Sequence, residues 1–277
     1  MRRNIFELMN NNKIDVRREY IRIHRLFEDE IFYTHYSQKT MLNYVDTFFS
    51  NWEKRGRNIS VNDMFTSLGI RDKGGLKDNT IENLILYIEV IINLIAISDL
   101  KKLIPGDFEY SSCDWNIYYM LNDNIERLLE DLNYEIKNLS DNQLIIVEKD
   151  AILSAVAETN KNIADKIIEY RRFVLKGKIE NKREILNLLA NEIEGMKPIF
   201  KGTTYSNLMD DVQFMLNNLN IRHNNMSGTY KKEYIVNLSS EELEKLYDKT
   251  FDMILGLYVV DKYLKSKDGI DELKKKI

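Results

Sequence analysis

Turn-forming residues are scarce in this chain, which has two prolines and eleven glycines among 277 residues. Proline and glycine are the strongest local breaks in regular structure, so this shortage favours long helices over a many-stranded β fold. Apolar residues also recur at helical spacing through most of the sequence. We therefore predict a mainly α, multi-helix protein, with at most a short strand or hairpin near 143–148, where the β-branched run LIIV lies between polar residues.

The last predicted helix has the clearest start signal. In VNLSSEELEKL, Ser239 is placed to cap the helix and Glu242 to reciprocate three residues later, which is a capping box. An apolar stripe then continues to Tyr263, and the charged tail beyond it is expected to fray. Apolar spacing predicts the other main helices at 15–55 (two helices), 80–103, 114–138, 160–175, 180–194 and 206–221.

Charge and cysteine content narrow the functional classes. A formal net charge of −4 argues against a nucleic-acid coat built on bulk electrostatics, although it leaves room for a local basic patch. Cys113 is the only cysteine, which excludes an intramolecular disulfide and sites with two cysteine ligands. The apolar segment 81–97 is shorter than a membrane span and carries charged residues, so we expect a core helix there and no membrane. Without a secretory pattern at the start, a cytoplasmic protein is expected.

The densest group of hydrogen-bonding side chains lies in LNNLNIRHNNMSGTYKKEY, residues 216–234. An amphipathic helix should end here, because asparagine tolerates the left-handed conformation that terminates helices. The stretch offers a guanidinium, an imidazole, two amides, a phenol and two ammonium groups. These candidate site residues are Arg222, His223, Asn224, Asn225, Tyr230, Lys231 and Lys232.

Such a set can cleave RNA without a metal or cofactor. His223 would remove the proton of a ribose 2′-hydroxyl, while Arg222 would stabilise the charge that develops on the phosphate. The two lysines would hold flanking phosphates. In the simpler structural alternative, His223 and the asparagines cap the helix, and Arg222 pairs with a carboxylate of a neighbouring helix. Candidate carboxylates are Glu169, Asp210 and Asp248.

A second basic cluster occurs in EYRRFVLKGK, residues 169–178, where Arg171 and Arg172 are interleaved with aromatic residues. Cationic and aromatic side chains mixed in this way can bind nucleic acid through phosphate contacts and stacking. Alternatively, the run is a helix with its apolar side chains inside and its charges solvated. If the two arginines lay beside Arg222, the combined patch would overcome the net negative charge locally.

Metal sites have little support in the sequence. The three histidines, His24, His35 and His223, include no pair at the helical spacing of metal ligands, so no metal is expected. The carboxylates at 28–30 beside His24 are expected to form a solvated face, with His24 as a partly buried structural residue.

The order of helix, Arg-His, loop and capped long helix resembles the HEPN superfamily of α-helical domains, which includes toxin and abortive-infection ribonucleases. Its motif is an arginine followed by a polar residue, with a histidine four to six positions after the arginine. Arg222 and His223 match the first half of the motif. Met226, Ser227 and Gly228 stand where the histidine would be. The resemblance implies a homodimer, because HEPN sites are commonly assembled across two subunits.

The region from about 144 to 263 is also similar to a set of proteins from low-GC Gram-positive bacteria. The similarity rests on four blocks in order: LIIVEKDAILSAVAE, IIEYRRFVLKGKIENKREIL, LNNLNIRHNN and LSSEELEKLYDKTFDMIL. These resemblances divide the chain into an N-terminal helical region, 1–139, and a C-terminal HEPN-like helical region, 140–277.

Two functional hypotheses follow. The first is a bacterial phage-defence or toxin-type effector that acts on RNA as a metal-independent endoribonuclease, with Arg222 and His223 as its catalytic residues. The second is a non-catalytic helical module that binds a protein, a nucleic acid or a nucleotide through the same surface. The missing second histidine favours the module, whereas the imidazole beside the arginine favours the ribonuclease.

Overall fold

The computed structural model describes residues 14–34, 37–72, 75–98, 100, 113–139, 143–160 and 162–276. The chain divides into two compact units, Met1–Ile146 and Val147–Ile277, called here the N-terminal and C-terminal units. Most of the described residues are helical, and the strands among them form only small two-stranded sheets. This confirms the prediction of a mainly α fold. Among these helices, none combines the length and apolar character that crossing a membrane requires.

The N-terminal unit is built around one buried helix, α4 (Ile81–Ile97), most of whose side chains are inaccessible to solvent. Its helices are α1 (Val16–His24), α2 (Met41–Asp46), α3 (Val61–Ser67), α4 (Ile81–Ile97) and α5 (Trp115–Asp131). Its strands form three pairs: β1 (Ile31–Tyr33) pairs antiparallel with β2 (Lys39–Thr40), β3 (Arg71–Asp72) pairs antiparallel with β4 (Gly75–Leu76), and β5 (Tyr134–Asn138) pairs with β6 (Leu144–Glu148). Strand β6 continues into the C-terminal unit.

Two buried polar side chains of α4 hold the start of β6. The Asn93 side-chain amide donates to the Leu144 carbonyl at 2.7 Å and accepts from the Leu144 amide at 3.0 Å. Glu89 accepts from the Ile146 amide at 3.0 Å. A neighbouring strand would normally form such hydrogen bonds to the backbone of β6. Here the side chains of a helix take that role at Leu144 and Ile146.

The predicted helix over 114–138 is wrong at its C-terminal end. Helix α5 stops at Asp131, and Asn133 then adopts a left-handed conformation with φ of 60°. That conformation ends the helix and reverses the chain, as asparagine permits. Residues 134–138 consequently form β5 and pair with the strand that was predicted near 143–148.

In the C-terminal unit one long helix, α12 (Ser240–Lys276), packs against α6 (Ala151–Thr159), α8 (Ile179–Glu194), α9 (Lys197–Phe200) and α10 (Ser206–Asn218). Its buried stripe includes Tyr247, Phe251, Ile254 and Leu257. The helices are α6 (Ala151–Thr159), α7 (Ala164–Tyr170), α8 (Ile179–Glu194), α9 (Lys197–Phe200), α10 (Ser206–Asn218), α11 (Glu233–Val236) and α12 (Ser240–Lys276).

The predicted capping box of α12 is confirmed. Ser239 donates its backbone amide to Glu242 at 2.9 Å, and Glu242 donates its own amide to the Ser239 hydroxyl at 3.2 Å. The helix continues past Tyr263 as far as Lys276, a total of 37 residues. Good helix formers and the ion pair between Asp271 and Lys274 support this extension beyond the apolar stripe.

We expect Asn93→Ala to destabilise the N-terminal unit by about 1–3 kcal/mol, because it leaves both backbone groups of Leu144 without their partners. The free energy of unfolding should be measured by urea denaturation followed by circular dichroism. Asn116→Ala is the matched control, since Asn116 is exposed on α5 and should change stability by no more than ~0.5 kcal/mol. Equal effects of the two substitutions would contradict the role given to Asn93.

Candidate functional site

The loop after α10 is held together by two asparagines. Asn220 adopts φ of 61°, which turns the chain out of the helix. The Asn220 amide donates to the Asn225 side chain at 2.7 Å, and the Asn225 amide donates to the Asn220 side chain at 3.0 Å. Asn225 is 1% exposed and also donates its side-chain nitrogen to the Tyr230 carbonyl at 3.0 Å. The amide predicted as a binding group is therefore used to fold the loop.

The Arg222 guanidinium faces the protein interior. It donates to the Gln213 side chain at 3.0 Å and to the Ala190 carbonyl at 2.6 Å, and it forms an ion pair with Glu194 at 2.8 Å. Its side chain is 12% exposed. These bonds tie the loop to α8 and α10. The structural alternative expected such a pairing, and the partner is Glu194 in place of Glu169, Asp210 or Asp248.

His223 and Tyr230 are stacked on the surface of the loop. Their ring centroids lie 4.6 Å apart with an interplanar angle of 17°. Tyr230 is 56% exposed, so the stack buries only part of its ring. A flat, accessible aromatic surface of this kind can receive a further planar group.

Of the remaining polar residues of the loop, one makes local hydrogen bonds and two are exposed to solvent. The Asn224 side chain accepts from the amides of Met226 and Ser227 at 3.1 and 3.2 Å, which is a local turn. Lys231 forms an exposed ion pair with Glu233 at 2.8 Å. Lys232 is exposed, and its backbone amide donates to the Asn225 carbonyl at 2.8 Å. Lys231 and Lys232 thus follow the stacked Tyr230 directly in the chain, and both side chains are exposed.

The second basic cluster has a different environment. Arg171 follows α7, pairs with Asp252 of α12 and lies over the Phe251 ring at 5.3 Å. Arg172 forms a β-bridge through its backbone with Val147. Arg171 is thus bonded to α12, whereas Arg222 is bonded to α8 and α10. The predicted helix over 160–175 is also shorter, since α7 ends at Tyr170.

A buried charge cluster in the N-terminal unit was not predicted from the sequence. Glu28, expected on a solvated face, has a side chain that is 8% exposed and pairs with Arg71. The Tyr87 hydroxyl donates to the same carboxylate. The π-helical turn Arg25–Asp29, which follows α1, contains Glu28. The His24–Glu28 spacing of four residues was a visible signal, whereas nothing local pointed to Arg71.

His24 lies at the edge of this cluster. Its ring nitrogens are 3.6 Å from Glu28 and 3.3 Å from Asp29. Burial lowers the pKa of His24, although Asp29 opposes that shift. Residue 35, which carries another histidine, lies outside the described residues. In the part of the chain that the structure describes, no group of histidine, cysteine and acidic residues could hold a metal ion.

No known protein family, curated protein or solved structure matches this chain.

We expect Arg222→Ala to lower the free energy of unfolding by about 1–3 kcal/mol, because it removes a part-buried ion pair with α8 and two hydrogen bonds, one to α8 and one to α10. Lys197→Ala is the matched control, since Lys197 also pairs with Glu194 but at 3.6 Å and with 46% of its side chain exposed. It should cost less than ~1 kcal/mol. Urea denaturation of the two variants would refute the structural role of Arg222 if Lys197→Ala were the more damaging.

Proposed function

We propose that the C-terminal unit binds single-stranded RNA, without cleaving it, through the platform formed by His223, Tyr230, Lys231 and Lys232. The observation that carries this proposal is the His223–Tyr230 stack, in which Tyr230 stays 56% exposed. Every nucleobase has a π face, so an accessible stacked ring binds bases with little sequence preference.

The charges around the platform favour a nucleic-acid strand. Lys231 and Lys232 are both exposed and lie next to the stacked tyrosine in the chain. A phosphate next to a base stacked on Tyr230 can therefore meet an ammonium group. Lys231 is paired with Glu233, and the whole chain carries a net charge of −4. Binding should consequently involve few phosphates and rely on stacking more than on charge.

The contacts of Arg222 favour binding over cleavage. A catalytic arginine must direct its guanidinium at the phosphate in the transition state. The Arg222 guanidinium instead donates to Gln213, Ala190 and Glu194. In addition, the positions four to six residues after it supply no second imidazole.

A ribonuclease of the toxin or defence type is the second candidate, and one observation favours it. Glu194 has a side chain that is 53% exposed, so the carboxylate that pairs with Arg222 is itself accessible to solvent. A phosphate that displaced this carboxylate would meet a guanidinium nitrogen close in sequence to the His223 imidazole. Cleavage in this case would need the ion pair to open first.

We expect Tyr230→Ala to weaken the binding of a short, labelled oligouridine by about tenfold, since one stacked base contributes about 1–3 kcal/mol. Fluorescence anisotropy at low salt measures the change. Tyr234→Ala is the matched control, because Tyr234 is 66% exposed on α11 and outside the stack. Lys232→Ala should reduce affinity less and lower the slope of log affinity against log salt by about 0.7. Absence of binding by the unaltered protein, or equal losses in both tyrosine variants, would contradict the proposal.

We further expect total RNA and tRNA to stay intact when incubated with the unaltered protein under the same conditions. Gel electrophoresis of the incubated RNA measures this, with Arg222→Ala and His223→Ala run alongside. Cleavage by the unaltered protein that is lost in both variants, provided that their circular dichroism spectra are unchanged, would reject the non-catalytic proposal in favour of the ribonuclease.

A further inference from the structure

A cavity of about 500 Å³ opens at the surface of the C-terminal unit, and none of the residues that line it belongs to the platform. Glu192 of α8 lines it together with Met196, which lies between α8 and α9, and α12 lines it with Tyr258, Asp261 and Lys265. The end of α6 and the turn after it complete the wall. The volume falls within the range of small-molecule sites in proteins, about 300–1,000 Å³.

Two buried polar atoms at this wall lack a partner. Tyr258 and Asp261 are each 7% exposed. The Tyr258 hydroxyl and the Asp261 Oδ1 atom make no hydrogen bond within the described structure, although Asp261 Oδ2 binds Lys265 at 2.7 Å. An unpaired buried hydroxyl or carboxylate oxygen carries a free-energy cost that a bound hydrogen-bonding ligand would remove.

The other buried polar atoms without a hydrogen bond in the described part of the chain belong to residues that do not line this cavity. Most are Nε atoms of Arg71, Arg171 and Arg183, whose terminal nitrogens are already bonded, and the remaining one is the Tyr247 hydroxyl. At the cavity, by contrast, two residues that carry such atoms, Tyr258 and Asp261, lie on one face of α12 and line the same space. Residues 258 and 261 are three apart, which places them on that face together.

The cavity is acidic. Its lining contains the carboxylates of Glu158, Glu192 and Asp261 against the single ammonium of Lys265, for a net charge of −2. Burial, reinforced by Glu192 and Asp261, raises the pKa of Tyr258, so its phenol stays neutral and can donate or accept. These charges favour a cationic ligand that donates hydrogen bonds.

The shape of the site points to an organic cation over a metal ion. The carboxylates at this wall do not form a group that could hold a metal, and none was found among the described residues. The space is also far larger than one ion needs. Met196 and Ile163 supply apolar surface beside the acidic groups, which suits the carbon chain of an amine.

We propose that this cavity binds an aliphatic diamine or polyamine. One ammonium group of the ligand donates to Asp261 Oδ1 and to the Tyr258 hydroxyl, while a second meets the carboxylates of Glu158 and Glu192. The methylene chain lies along Met196. This dication neutralises the net charge of the wall, and its donors satisfy the two buried oxygen atoms.

The test is isothermal titration calorimetry of the full chain with putrescine at low salt and neutral pH. Saturable binding at one site is expected, with no heat from 1,4-butanediol, a neutral molecule of the same length. Asp261→Asn should weaken binding at least about tenfold, since it removes a charged hydrogen-bond acceptor. Tyr258→Phe should weaken it about threefold, as loss of one neutral hydrogen bond does.

Glu241→Gln is the matched control, because it makes the same charge change on α12 at a side chain that is 78% exposed. It should leave putrescine affinity unchanged. If Asp261→Asn fails to fold, Glu192→Gln tests the same wall from an exposed position. No binding of putrescine would mean a water-filled cavity only and would overturn the proposal. Binding that survives the cavity substitutions, or that Glu241→Gln weakens equally, would mean surface charge alone and would also overturn it.

Discussion

The need to give every buried polar group a partner governs both units of this protein. In the N-terminal unit, Asn93 and Glu89 of a largely apolar helix supply hydrogen bonds to the backbone of β6. In the C-terminal unit, Lys182 is 6% exposed and pairs with Glu244 and Asp248 at 2.8 and 2.7 Å. Leaving a buried polar group without its partner costs more free energy than the hydrogen bond contributes when it forms. These contacts therefore fix how the helices pack.

The same constraint changes how the Arg-His-Asn-Asn stretch is understood. A run of hydrogen-bonding residues after a helix looks like a site open to a ligand, yet Arg222 and Asn225 direct their polar groups inward and bind the loop to itself and to α8 and α10. The residues left for a ligand are the stacked rings and the exposed lysines. Rigid internal bonds beneath a surface aromatic pair suit recognition, because little conformational entropy is lost when a base stacks on a preformed platform.

The cavity near α12 is the converse case, since two of its buried oxygen atoms remain without partners. The platform and the cavity differ in charge: the platform includes two exposed lysines, whereas carboxylates line the cavity. An anionic strand and a small cation are therefore separate ligands on separate surfaces. Their tests are independent as well, because no residue of the platform lines the cavity.

The sequence by itself determined what depends on neighbours a few residues apart. The mainly α fold, indicated by the shortage of proline and glycine, was predictable from the sequence, and so were the Ser239–Glu242 capping box and the strand after residue 143. Each depends on local propensity or on hydrogen bonding within one turn. The end of α5 at Asp131 was missed because helical spacing continued through residues that pair as β5 instead. Only the tertiary structure decided that Arg222 bonds to Ala190, 32 residues away, and that Glu28 pairs with Arg71, 43 residues away. Such partners are selected by how helices pack, and residue spacing carries no information about them.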